Sequence, residues 1–168
     1  MNDIYFSNLY QDVQKIVESG KNVAYRSVNA AMIMTYWKIG ERIIKEEQNG
    51  EGRAEYGRQL IDGLSKSLTE KYGKGYSARA LREYRQFYLT FQQPDFWRTC
   101  APNLTWSHFR RVMYVINENA RDWYLKESAE QNWSVRTLDR NIGTQYYERL
   151  LLSQKKDPVK KEMQKKTA

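Results

Sequence analysis

The stretch LTWSHFRRVM at 104–113 gathers residue types that often do chemistry. His108 is the chain's only histidine; Ser107 precedes it, and Trp106, Arg110 and Arg111 flank the pair. A serine beside a histidine suggests a nucleophile and its base, whereas a tryptophan beside two arginines suggests nucleic acid. On a regular helix, adjacent residues point about 100° apart, so Ser107 and His108 cannot pair as nucleophile and base. Cys100, the single cysteine, could approach His108 from the preceding segment, but spacing identifies no third group to orient them. One histidine and one cysteine do not make a zinc site. On a helix opening at Thr105, Phe109, Val112, Met113 and Ile116 form the inward face, with His108 at one margin and Trp106 at the other. The expectation is a histidine whose ring rests on the core with a nitrogen hydrogen-bonded.

Other catalytic signatures are missing. The sequence has no Gly-rich phosphate loop ahead of a Lys-Ser/Thr pair, no H-E-x-x-H and no G-x-S-x-G. Metal-dependent nucleases of the PD-(D/E)XK type use an acidic residue followed by Glu-x-Lys to hold the metal and activate water. No glutamate of this chain has lysine two residues later. The expectation is a non-catalytic chain with no cofactor and no metal.

The clearest binding signal is YSARALREYRQFYLTF at 76–91. At 100° per residue, Leu81, Tyr84, Tyr88 and Phe91 share one arc, Arg79, Arg82 and Gln86 lie opposite, and Arg85 lies near a boundary. Lys71 and Lys74 precede this helix. A helix, a Gly-containing turn and a second helix with basic first turns follow the order of a helix-turn-helix, whose second helix meets base edges or phosphates. Arginine suits both contacts through its planar fork of donors. The turn of about six residues exceeds the usual three or four. The alternative is an ordinary amphipathic helix with a solvated basic face.

The elements that must carry these residues read as all-α or mainly α, in one multi-helix domain. Apolar residues recur at three and four with no clear strand alternation. The spacing predicts helices at about 3–18, closed by Gly20, and at 22–48, 54–71, 77–91, 105–116, 118–131 and 135–152. Ser77 and Ser134 stand as N-caps, and Pro94 and Pro102 bracket a loop. Helix 22–48 carries two apolar stripes, Val28, Met32, Ile39 and Ile43 on one side and Ala30, Ile33, Trp37 and Ile44 on another. Either the helix is central to the fold, or Ile33, Trp37 and Ile44 form a homodimer or partner-protein interface.

The formal charge is +8 in 168 residues. Half of that excess lies in KKDPVKKEMQKKTA, where six lysines face Asp157 and Glu162. Residues 153–168 read as a disordered basic tail or a linker cut short, after a domain at 1–152. The longest apolar run, AAMIM, is too short to span a membrane, the N-terminus shows no secretory signal, and one cysteine suits a cytoplasmic location.

Four segments, YWKIG at 36–40, YSARALREYRQFY at 76–88, LTWSHFRRVM at 104–113 and NWSVRTLDRNIGTQYYERL at 132–150, resemble the N-terminal domain of the YhcG family. The resemblance covers about 1–152 and departs at Ala80 and Phe109, where the family often has Asn and Tyr. Family members are prokaryotic proteins in which this domain of unknown function precedes a PD-(D/E)XK nuclease domain. The resemblance implies a helical, winged-helix-like or helix-turn-helix-like core and nucleic-acid binding, with the catalytic residues in the other domain. The combined expectation is a DNA-binding module that targets a nuclease, with a dimerisation or partner-docking module as the alternative.

Overall fold

The computed structural model describes residues 2–50, 54–153 and 156–165. Among them every regular element is helical, with no strand. In order the helices are α1 (Asn2–Asn49), α2 (Ala54–Tyr72), α3 (Ala78–Thr90), α4 (Pro94–Cys100), α5 (Trp106–Val112), α6 (Glu118–Glu130), α7 (Val135–Gly143), α8 (Tyr146–Leu152) and α9 (Lys156–Lys165). The all-helical expectation holds. A winged helix needs a β-wing, and no strand is present to form one among the described residues.

The two helices expected at 3–18 and 22–48 are one helix of 48 residues. Gly20 lies inside it without a left-handed φ, and nothing stands within 4 Å of the position its Cβ would take. An interior glycine costs only about 1 kcal/mol relative to alanine, so good formers on both sides carry the helix through it. Gly73 is different. Its φ of 89° ends α2, and a 3-10 turn over Lys74–Tyr76 leads to Ser77. There the Ser77 hydroxyl accepts the Ala80 N–H, so this cap and that of Ser134, which accepts the Thr137 N–H, form as expected.

The segment between the prolines is helical rather than a loop. Pro94 occupies the first turn of α4, where its missing N–H costs nothing. Helix 105–116 stops at Val112, which leaves Ile116 exposed instead of inward. Helix 135–152 breaks into α7 and α8 at Gln145, which takes a left-handed conformation at φ 52°. The basic tail also departs from expectation: its Lys156–Lys165 segment forms α9 and buries Met163 in the main core.

The C-terminal half of α1 lies along α3, and this contact organises the molecule. Ile33, Trp37 and Ile44 are buried by the chain itself, so the interface assigned to them is corrected to core. The Trp37 indole N–H donates to the Phe91 carbonyl at 2.7 Å. Gly40 allows the close approach, since a Cβ there would stand 2.0 Å from the Tyr84 carbonyl oxygen of α3. Phe87 then sits among Phe91, Trp97, Trp106 and Phe109, with ring centroids 5.2–5.6 Å away. A smaller core beside it joins Ile43, Ile61, Leu81 and Tyr84.

Candidate nucleic-acid interface

Packing on α1 and α2 leaves α3 a narrow exposed strip. Leu81, Tyr84 and Phe87 are buried, and Tyr36 stacks on Tyr84 with centroids 4.2 Å apart. The Tyr84 hydroxyl donates to the Gly75 carbonyl at 2.9 Å, which ties the turn to the helix. Burial, reinforced by Tyr36, pushes the Tyr84 phenol well above its ordinary pKa. The fixed turn holds Arg79 and Arg82 outward at the start of α3.

Arg79, Arg82 and Arg85 share one cleft of about 870 Å³ between α1, α2 and α3, joined there by Arg58 of α2. A second cleft of about 860 Å³ adjoins it and shares Arg79, Glu83 and Tyr114. Arg110 and Arg111 of α5 line this second cleft. Six arginines from three helices therefore line two adjoining clefts. Lys71 and Lys74 are exposed but lie outside both clefts, and Lys71 rests over the Tyr72 ring at 5.2 Å.

The basic face is not bare. Arg79 faces Glu83 at 3.4 Å, Arg82 faces Asp62 at 3.2 Å, and Arg111 faces Asp139 at 3.5 Å. The Arg82–Asp62 and Arg111–Asp139 pairs, exposed on both sides, contribute about 0–1 kcal/mol and are open to exchange with other anions. Arg85 is held more firmly: its Nε donates to both Glu47 oxygens, at 2.8 and 2.9 Å, and both side chains are largely covered. It clamps α3 to α1, which leaves it less free for phosphate than its place in the sequence suggested. Glu83 is also well covered and receives Arg110 at 2.9 Å as well as Arg79. Among the described residues, Arg58 has no carboxylate partner.

Arg58, Arg110 and Arg111 complete the arginine set, although they do not belong to the α3 pattern. Arg110 and Arg111 had a visible signal in their place beside Trp106. Arg58 had none, because only the packing of α2 on α3 brings it to the cleft.

His108 takes the structural place expected of it. Its Nδ1 accepts the Thr105 N–H at 3.1 Å, which makes Nε2 the protonated nitrogen, and Nε2 donates to the Trp133 carbonyl at 2.8 Å. The ring thus closes the start of α5 and pins the α6–α7 connection. Burial lowers its pKa against the raising effect of the Trp133 bond. Cys100 is buried, and burial pushes its thiol pKa up, the opposite of an activated nucleophile. Among the described residues, no cluster of three metal-ligating side chains occurs and no helix is long and apolar enough to cross a membrane.

Residues 12–149 match the family model described as DUF1016 N-terminal domain. A curated protein of Escherichia coli (strain K12), described as "Putative nuclease YhcG", is 38% identical over 183 aligned residues. That alignment covers 92% of this chain and 49% of the relative, so the chain spans about half the relative's length. No solved structure matches. The four segments that resembled the YhcG family therefore belong to a match running through nearly the whole chain, and the chain belongs to the DUF1016 N-terminal domain family.

Proposed function

We propose that the chain is a non-catalytic DNA-binding module that positions a nuclease on its substrate. The observation that carries this reading is the pair of adjoining clefts lined by Arg58, Arg79, Arg82, Arg85, Arg110 and Arg111. Their lining carboxylates, Glu47, Glu83, Asp139 and Glu148, are fewer than their arginines and leave an excess positive charge. Phosphates can replace the exposed Asp62 and Asp139 partners at little cost, because those pairs are weak in water. Guanidinium groups also match phosphate oxygens in pairs. The nuclease association comes from the Escherichia coli relative, whose greater length leaves room for a catalytic domain.

The test is duplex-DNA binding by the full chain across a salt series. Arg79→Ala/Arg82→Ala should weaken binding roughly tenfold or more and flatten the log K against log salt slope by about 0.9 per lost phosphate contact. Circular dichroism should be unchanged, since both side chains are exposed. Lys160→Gln/Lys161→Gln in α9 serves as the comparison, because basic residues there could bind DNA independently. The reading fails if the wild type binds no duplex at low salt. It also fails if the lysine pair, and not the arginine pair, accounts for the affinity.

A further inference from the structure

Every described position from 7 to 28 of α1 is exposed; Tyr25 and Arg26 meet the body at a small cavity with Pro102 and Thr105, and the 18 positions before them, about 27 Å of helix, project beyond it. This arm is not uniformly polar. Leu9, Val13, Ile16, Gly20 and Val23 follow the alternating four-three spacing of a heptad seam, and Tyr10, Val17 and Ala24 widen it on one side. Leu9, Tyr10, Val13, Ile16, Val17 and Val23 are each between 48% and 70% exposed. A soluble chain rarely leaves a contiguous apolar stripe of this size without a partner.

We propose that this arm pairs with the same arm of a second copy, antiparallel and centred on Glu18. Three features select that occupant. First, the seam is complementary to itself when reversed. The register sets Ile16 against Gly20 of the second copy and Val13 against Val23 of the second copy. Gly20 has nothing within 4 Å and so offers the space Ile16 needs. A parallel pair would instead set Gly20 against Gly20 and leave a gap in the seam. Second, the same register brings the flanking Asp12 to Arg26 of the second copy, and the two-fold axis repeats the pair at the other end. Among the described residues Asp12 faces only its exposed neighbour Lys15, at 3.8 Å. Third, Glu18 is the middle of the exposed window, so the arms overlap along their full exposed length with one body at each end. At these exposures each large side chain offers no more than on the order of 100 Å². Complete coverage of all six on both arms would bury at most about 1,200 Å² in total, the lower end of stable interfaces.

The experiment is sedimentation equilibrium on the full chain over a wide concentration range, at moderate salt. The wild type should give the mass of a dimer that dissociates on dilution. Ile16→Asp should be monomeric at every concentration, with unchanged helicity and melting of the body, because the side chain is 70% exposed and belongs to neither core. Asp12→Arg and Arg26→Asp should each raise the dissociation constant about tenfold, and the two together should restore it. A wild type that stays monomeric throughout, or an Ile16→Asp variant with undiminished dimer mass, overturns the proposal. A double charge exchange weaker than either single variant overturns the antiparallel register. None of these readouts involves DNA, so the result stands apart from the arginine clefts.

Discussion

Gly40→Ala tests the contact on which the whole arrangement depends. The added Cβ would lie 2.0 Å from the Tyr84 carbonyl oxygen, 2.7 Å from its carbon and 3.0 Å from the Tyr88 Cβ. Reaching ordinary contact at 3.4 Å requires α1 and α3 to separate locally by about 1.4 Å. No side-chain rotation can supply that, because the two nearest atoms are backbone. Such a separation would loosen the Tyr36–Tyr84 stack and stretch the Trp37–Phe91 hydrogen bond on the same interface. Overpacking of this kind costs about 3 kcal/mol at the severe end of the usual range. Alanine's better helix propensity returns about 1 kcal/mol. The net loss is about 2 kcal/mol, or roughly 4–8 °C in Tm for a domain of this size. Gly63→Ala is the matched control, an interior α2 glycine with nothing within 4 Å, and should gain up to about 1 kcal/mol. Thermal and urea melts of the three proteins decide the matter. A Gly40→Ala protein as stable as the Gly63→Ala protein would refute the close-approach argument.

Two further stability predictions follow from buried side chains. His108→Gln should cost on the order of 1 kcal/mol near pH 8, because it disturbs the bonds to Thr105 and Trp133. Burial depresses the folded-state pKa of His108 below 6.5, so the folded chain binds fewer protons than the unfolded one once pH falls below that value. The histidine's contribution is therefore full above pH 6.5 and shrinks on acidification, and the Tm gap between wild type and variant should narrow as the pH falls below 6.5. A gap that widens there would show that the ring is charged when folded. Met163→Ala should cost about 2–3 kcal/mol in a urea melt, because α9 buries this side chain in the main core. A loss below about 0.5 kcal/mol would mean that α9 contributes nothing to the fold.

Local features were legible where a few neighbouring residues decide them. Ser77 and Ser134 declared their caps, and His108 declared its core-margin role through the spacing of Phe109, Val112 and Met113. Signals with two structural outcomes were misread. Gly20 can end a helix or be carried through one, and only the strength of its flanks decides. Pro94 can sit in a loop or open a helix. Ile33, Trp37 and Ile44 could face either the core or a partner, and only the position of α3 settled the choice. The candidate site was legible in part for the same reason. Arg79 and Arg82 share a face by helical periodicity alone. The clamp between Arg85 and Glu47 joins residues 38 apart, and no local pattern records such a meeting.

The double grip on Glu83 sets what the release of one arginine costs. A carboxylate with one cation becomes a stranded charge when that cation turns away, and a stranded, largely covered charge is expensive. Glu83 has two cations from different helices, Arg79 and Arg110. If Arg79 swings toward an incoming anion, Arg110 keeps Glu83 neutralised. Arg79 is the more exposed of the two and the more loosely held, so it is the one free to leave. The triad behaves as a relay with a spare contact, in which one arm can be lent without exposing an uncompensated charge.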